Sequence, residues 1–198
     1  MIWTIIYLLL TGYIIYQFRR FTSKRESVLS ISYWFILSCI CNMAWVLLWQ
    51  YQYIGLALAA MIALFISLAV IYVKTRYIYS PSTGETWLIR IPFSIYFGWI
   101  CVAALVNLAV ILYYTGKGIN IDPKVTGLIL LVIGAVAAVA ISLRPRDGVF
   151  PLVFVWAYIA IAVEQKNITN LSRTAAILAF ILLLYSLWIV LMRARERD

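Results

Sequence analysis

Seven runs of apolar residues, separated by short polar segments, make up most of the chain. A bilayer core of about 30 Å needs about 20 helical residues, because each residue advances a helix by about 1.5 Å. Most of the runs have this length, and the first and the sixth are shorter. The pattern therefore predicts seven transmembrane helices, over approximately residues 2–17, 30–50, 53–73, 91–114, 125–143, 149–163 and 174–192.

The composition is that of a protein embedded in lipid. Of the 198 residues, 66% are hydrophobic and 12% are charged, and the mean hydropathy is +1.00. A soluble domain needs a polar and charged surface that such a chain cannot supply. We therefore predict an all-α fold, a polytopic membrane helical bundle of about seven transmembrane helices.

Lys and Arg residues are distributed unevenly between the two sides of the predicted bundle. Because basic residues in short loops stay in the cytoplasm, the richer side is predicted to be cytoplasmic and to carry the C-terminus. Twelve cations lie on that side, and they are Arg19, Arg20, Lys24, Arg25, Lys74, Arg76, Arg90, Arg144, Arg146, Arg193, Arg195 and Arg197. The other four are Lys117, Lys124, Lys166 and Arg173. The net charge of +9 is thus a topology signal, with attraction to anionic lipids as a secondary effect, and nucleic-acid binding is not expected.

Residue types that carry out catalysis or bind metals are scarce. The chain has no histidine, which removes the usual haem ligand, zinc ligand and general base. No Lys, Asp or Glu lies deep in a predicted span, which excludes a retinal Schiff base and argues against a carboxylate proton relay. Cys39, Cys41 and Cys101 lie in apolar runs and are interpreted as buried thiols. We predict no metal site and no cofactor, and the sequence argues against an enzyme without deciding the question.

Amides and indoles recur at helical spacing in two of the apolar runs. The two sets are Asn42, Trp45 and Trp49 in the second run and Trp99, Ala103 and Asn107 in the fourth. Offsets of three and four residues place each set on one helix face. An unpaired amide in hydrocarbon costs on the order of several kcal/mol, so both asparagines should face other helices or a cavity. This arrangement indicates a ligand pocket, with packing of the indoles and hydrogen bonding between helices as the alternatives.

Three segments resemble helices of the TspO/MBR family, the tryptophan-rich sensory proteins related to the mitochondrial translocator protein. The opening Met1-Ile2-Trp3-Thr4-Ile5-Ile6-Tyr7 resembles the start of the family's second helix. Tyr33-Trp34-Phe35 followed by Asn42-Met43-Ala44-Trp45 and Trp49 resembles its third helix. Tyr96, Trp99, Ala103 and Asn107 match the Y-x-x-W-x-x-x-A-x-x-x-N pattern of its fifth helix, which is the most specific of the three.

The resemblance also implies a division of the chain. Residues 1–116 would form a four-helix TspO-like portion, and residues 117–198 an additional three-helix transmembrane extension like that of long bacterial family members. The family's first helix and its Trp-Pro-rich loop have no counterpart here, so the chain is interpreted as a long-form member that lacks one helix. The family's proline directly precedes the tyrosine, whereas Pro92 comes four residues before Tyr96. The implied location is the bacterial cytoplasmic membrane.

The function implied by the resemblance is binding of a flat hydrophobic ligand, a porphyrin or another tetrapyrrole or a sterol, in a sensory or transport role. The ligand-binding residues would be Trp3, Tyr7, Asn42, Trp45, Trp49, Trp99, Ala103 and Asn107. One alternative is a membrane enzyme that degrades porphyrin photochemically, with Trp45 or Trp99 as the electron donor. Another is an accessory subunit whose aromatic stripe packs against a partner helix. The expected partners are the ligand and membrane lipids, and the sequence leaves open whether the protein forms a homodimer.

Overall fold

The computed structural model describes residues 2–18, 26–78, 81–114 and 122–195. Seven long helices run through these residues, and they are α1 (Ile2–Phe18), α2 (Glu26–Gln50), α3 (Ile54–Arg76), α4 (Ile91–Tyr114), α5 (Pro123–Leu143), α6 (Val149–Glu164) and α7 (Thr169–Arg195). The described ranges contain no β-strand. The predicted all-α bundle of seven helices is confirmed.

Within the described residues, five helical segments are long and apolar enough to cross a membrane, and they are Ile31–Gln50, Ile54–Arg76, Thr83–Tyr113, Pro123–Leu143 and Thr169–Arg195. Helices α1 and α6 have 17 and 16 residues, or about 24–26 Å of helix, which is shorter than the bilayer core. Large apolar side chains such as Leu8, Val136 and Leu191 are more than 60% exposed. A surface of this kind is stable only against lipid or another apolar partner, so the chain is an integral membrane protein.

The chain folds as two compact units, Met1–Ile100 and Cys101–Asp198, and the boundary falls within α4. In the first unit α2 packs along α3. Gln52 joins these helices with a left-handed φ of 60°, and its N–H donates to the Trp49 carbonyl at 3.0 Å. The N–H of Tyr53 donates to the Leu48 carbonyl at 2.9 Å. These two bonds form a Schellman motif, which closes the C-terminal end of α2 and reverses the chain.

Helix α4 follows directly from a turn that the sequence analysis treated as loop. Thr83–Glu85 is already helical, and Thr86–Arg90 forms a π-helical turn that leads into α4 without a break. The Ser82 hydroxyl accepts from the Glu85 N–H at 3.2 Å while the Glu85 carboxylate accepts from the Ser82 N–H at 2.9 Å. This capping box starts the helix about eight residues before the predicted start at residue 91. Pro92, which has no N–H to donate, therefore lies beyond the wide π turn and not in the first turn of the helix.

Arg90 was counted among the loop cations, but in the structure it is a buried residue that caps α3. Only 9% of it is exposed. Its Nε donates to the Thr75 carbonyl at 3.2 Å and its Nη2 to the Ile78 carbonyl at 2.7 Å. The last carbonyls of a helix have no partner within the helix, and a cation there also opposes the negative end of the helix dipole. Arg90 thus fixes the start of α4 to the end of α3.

In the second unit α6 and α7 form a helical hairpin that packs against α5. The Tyr158 hydroxyl donates to the Leu131 carbonyl at 2.6 Å, and it crosses α5 next to Gly134, where there is no side chain to obstruct it. At the other end of the hairpin the Ser186 hydroxyl donates to the Gly148 carbonyl. Lipid offers no hydrogen-bond partner to a polar group. These buried bonds therefore satisfy the hydroxyl and carbonyl groups within the protein.

The distribution of basic residues makes a direct prediction about topology. Of the cations on which it rests, Arg19, Arg20, Lys24, Arg25, Lys117 and Arg197 lie outside the described residues. In a background without the native cysteines, Lys166→Cys should be labelled in intact cells by an impermeant maleimide, because its loop is predicted to be external. Arg195→Cys should be labelled only after permeabilisation. Labelling of Arg195→Cys in intact cells would reverse the orientation.

Candidate ligand-binding site

Trp3 lies at the centre of a cluster of aromatic rings in the first unit. Its ring stacks on Tyr7 at a centroid distance of 5.6 Å and an interplanar angle of 23°, and on Trp45 at 6.5 Å and 30°. It meets Tyr96 and Trp99 edge-on at 6.4 Å and 6.2 Å. Stacked and edge-to-face arrangements at these distances are the favourable geometries for aromatic pairs. We call Trp3, Tyr7, Trp45, Tyr96 and Trp99 the Trp3 cluster.

Three helices build the cluster, and each carries aromatic or amide residues about one helical turn apart. The cluster residues are Trp3 and Tyr7 on α1, Trp45 on α2, and Tyr96 and Trp99 on α4, and Asn42 lies one turn before Trp45. Residues three or four apart share a helix face. The spacing in the sequence therefore determines which rings point the same way on each helix, and packing brings the three faces together.

Polar atoms without partners are concentrated at this cluster. The side-chain Nδ2 of Asn42 makes a long hydrogen bond of 3.5 Å to the Tyr7 hydroxyl. Its Oδ1 and the indole Nε1 atoms of Trp45 and Trp99 are buried, and none has a hydrogen-bond partner in the described part of the chain. Each such atom costs about 1–3 kcal/mol. One unpaired acceptor and two unpaired donors thus lie beside a stack of rings, where they could bond to polar groups of a ligand.

The cluster has one closed side and one open side. Tyr96 is 2% exposed and Asn42 is 8% exposed, whereas Tyr7 is 51% exposed. Trp3, Trp45 and Trp99 are half-buried. The exposed Tyr7 ring therefore marks the open side of the cluster, and a flat molecule that bonds to Asn42 Oδ1 or to the indole Nε1 atoms must displace neighbouring side chains to reach them.

Of the other predicted site residues, Trp49 belongs to the first unit and Ala103 and Asn107 to the second. Trp49 is 36% exposed and makes no ring contact with the described residues. In the second unit the Asn107 side-chain Nδ2 donates to the Ala103 carbonyl at 2.8 Å. The Asn107 Oδ1 is buried and has no hydrogen-bond partner among the residues that the structure describes. Tyr96 belongs to the cluster but was not among the predicted ligand-binding residues. Its position three residues before Trp99, on the same helix face, was the signal that could have identified it.

A separate cavity of about 500 Å³ lies in the second unit. Its wall is mostly apolar and includes Leu105, Ala109, Leu130 and Tyr158, and Glu164 is a charged lining residue. A volume of 300–1,000 Å³ is typical of small-molecule sites. None of the eight predicted ligand-binding residues lines this cavity, so it is a second place at which a small molecule could bind.

The described residues offer no set of three or more His, Cys, Asp or Glu side chains that could hold a metal ion. Cys39, Cys41 and Cys101 are free thiols. The chemistry available at the Trp3 cluster is therefore stacking, hydrogen bonding through indole N–H groups and one amide, and exclusion of water.

Comparison with known families decides the class of protein. The sequence model of the TSPO-like protein family matches residues 1–188. The chain belongs to the TSPO-like family. No curated protein and no solved structure matches it. The matched range includes most of both units. The similarity of this TSPO-like membrane protein to its family is therefore not limited to the motifs on α1, α2 and α4.

Proposed function

We propose that this TSPO-like protein binds a flat, largely apolar ligand of the tetrapyrrole class at the Trp3 cluster, in a sensory or transport role. The observation that supports this most strongly is the set of unpaired polar atoms, Asn42 Oδ1, Trp45 Nε1 and Trp99 Nε1, beside stacked rings. Helix packing alone gives no reason to bury two indole N–H groups without acceptors. A ligand that supplies the missing partners removes that cost on binding.

The chemistry of the cluster favours a porphyrin over a sterol. A porphyrin has a π face for the indoles and carboxylates that accept from the two indole N–H groups. A sterol has one hydroxyl and no π face, so it can satisfy at most part of this set.

The binding test is a titration of protoporphyrin followed by the change in porphyrin absorbance, with the protein in nanodiscs. Trp99→Leu should weaken binding by about two- to tenfold, because a stacked pair contributes about 0.5–1.5 kcal/mol beyond the area it buries. Asn42→Leu should also weaken binding while changing thermal stability little, because an apolar residue of similar size removes a burial cost together with a bond.

Trp156→Leu is the matched control, since Trp156 is 53% exposed on α6 and lies outside the Trp3 cluster. It should bind as the parent protein does. If Trp99→Leu and Asn42→Leu are also unchanged, the cluster is packing and the accessory-subunit alternative is favoured. Consumption of porphyrin under light, lost in Trp45→Phe or Trp99→Phe, would favour the enzyme alternative.

The cavity in the second unit is the competing location for the same ligand. Ala109→Phe should partly fill it, because Ala109 lines both this cavity and a neighbouring one of about 400 Å³. Our proposal expects porphyrin affinity to be unchanged in this variant. A large loss in Ala109→Phe with normal binding in Trp99→Leu would place the ligand in the second unit instead.

A further inference from the structure

Two cavities occur together where α5 ends, α6 begins and α7 ends. They have volumes of about 270 and 350 Å³, and Arg146 and Ile189 line both of them. All of these residues belong to the second unit. None of the residues that line the two cavities belongs to the Trp3 cluster or lines the cavity beside Ala109.

The polar part of this site is strongly cationic. Arg144, Arg146 and Arg193 line the two cavities, and Asp147 is the acidic residue among the described lining residues. Asp147 is 3% exposed, and its carboxylate accepts from the Val149 N–H at 3.1 Å at the start of α6. A carboxylate in this position stabilises the N-terminus of the helix. Three cationic side chains and one carboxylate leave a site that attracts anions.

The backbone of the turn that carries two of these arginines is fixed. The Arg146 N–H donates to the Leu143 carbonyl at 3.3 Å, and the Asp147 N–H donates to the Ser142 carbonyl at 3.0 Å. Together with the left-handed φ of 52° at Arg146, these bonds form a Schellman motif at the end of α5. Arg146 occupies the position that usually favours glycine, and this defined turn places its backbone beside the two cavities that its side chain lines.

The remaining wall of the site is apolar and exposed. Leu143 and Trp188 are each 50% exposed and Met192 is 37% exposed, and all three line the larger cavity beside Arg144. The Trp188 ring also contacts Tyr185 in a tilted arrangement, with ring centroids 6.1 Å apart. Indole rings favour the headgroup region of a bilayer, where an apolar surface meets a polar one.

We propose that this site binds one anionic phospholipid. The headgroup phosphate lies against Arg144, Arg146 and Arg193, and the upper part of an acyl chain packs against Leu143 and Trp188. A topology signal requires only that basic residues lie on one side of the membrane. It does not require that they line a cavity with an apolar wall, and this combination matches a molecule that has a phosphate and a hydrocarbon chain.

The test is native mass spectrometry of the protein in neutral detergent, titrated with phosphatidylglycerol or phosphatidylcholine. We expect tight binding of one phosphatidylglycerol and much weaker binding of phosphatidylcholine. The double variant Arg144→Gln/Arg193→Gln should weaken phosphatidylglycerol binding by about tenfold or more, because each cation near a membrane surface contributes about fivefold to the attraction. Trp188→Ala keeps every charge and should weaken binding of phosphatidylglycerol as well.

Arg195→Gln is the matched control, since Arg195 is exposed on the same end of α7 but lines neither cavity. It should change the affinity less than twofold. A loss of about fivefold in Arg195→Gln, the same per charge removed as in the double variant, would show a diffuse surface attraction and overturn the proposal. Equal affinity for the two lipids would also overturn it, as would inorganic phosphate that displaces the lipid at comparable concentrations. If the double variant does not fold, Trp188→Ala provides the test. An unchanged affinity of Trp188→Ala for phosphatidylglycerol would reject the site.

Discussion

Replacing Arg90 by methionine is expected to lower the free energy of unfolding by about 3 kcal/mol. The change removes the hydrogen bonds that the guanidinium donates to the carbonyls of Thr75 and Ile78 at the end of α3. Hydrogen bonds to a charged group contribute about 1.5–3 kcal/mol each, and the desolvation cost of the buried cation is recovered in part. Thermal unfolding in detergent micelles measures the effect.

Two further variants separate capping by Arg90 from its charge. Arg90→Lys keeps the charge but not the planar fork of donors, and so it should recover only part of the stability. Arg173→Met removes an exposed cation from α7 and should have little effect. Equal stability of Arg90→Met and Arg173→Met would mean that the hydrogen bonds of Arg90 do not hold α3 and α4 together.

Replacing Gly134 by alanine is expected to destabilise the second unit by about 1–3 kcal/mol. A Cβ at this position would overlap the Tyr158 hydroxyl and lie 2.9 Å from Leu105 Cδ1. The Tyr158 ring is 2% exposed, so it can move aside only by breaking its 2.6 Å bond to the Leu131 carbonyl. Alanine is a better helix former than glycine by about 1 kcal/mol, so without the overlap the substitution would raise the free energy of unfolding. A decrease therefore indicates the overlap.

Gly55→Ala is the matched control, because Gly55 also lies within a helix and no atom lies within 4 Å of the added Cβ. It should be neutral or stabilising in the same unfolding measurement. Combining Gly134→Ala with Tyr158→Phe should relieve part of the overlap. A stabilising effect of Gly134→Ala alone would contradict the close packing of Tyr158 over Gly134.

Hydropathy predicted the helices because a segment that crosses a lipid bilayer must be both long and apolar. Each span must satisfy its own backbone hydrogen bonds, so a long apolar run has few alternatives to a helix. The one clear error, the start of the fourth helix, arose where polar residues form the first turns. Ser82, Glu85 and Arg90 are polar, but their side chains bond to the backbone and extend the helix toward α3. The predicted division at residue 116 stays a prediction.

Hydropathy did not predict which residues of different helices contact one another. In a membrane, residues that face lipid and residues that face other helices are both apolar, so hydropathy does not distinguish them. Trp45 and Trp49 are one turn apart and chemically identical, yet Trp45 stacks on Trp3 and Trp49 is exposed. The spacing of indoles and amides indicated a candidate face on each helix. The packing of the helices decided which rings meet.

The sequence by itself determined the membrane class, the number of helices and the family pattern, because these depend on local composition and short-range spacing. The tertiary structure decided that Arg90 is a helix cap, that Tyr96 joins the Trp3 cluster and that Arg144, Arg146 and Arg193 share one site. Each of these depends on contacts between residues that are far apart in the chain. Such contacts form only when whole helices pack, and no local pattern of apolar and polar residues specifies them.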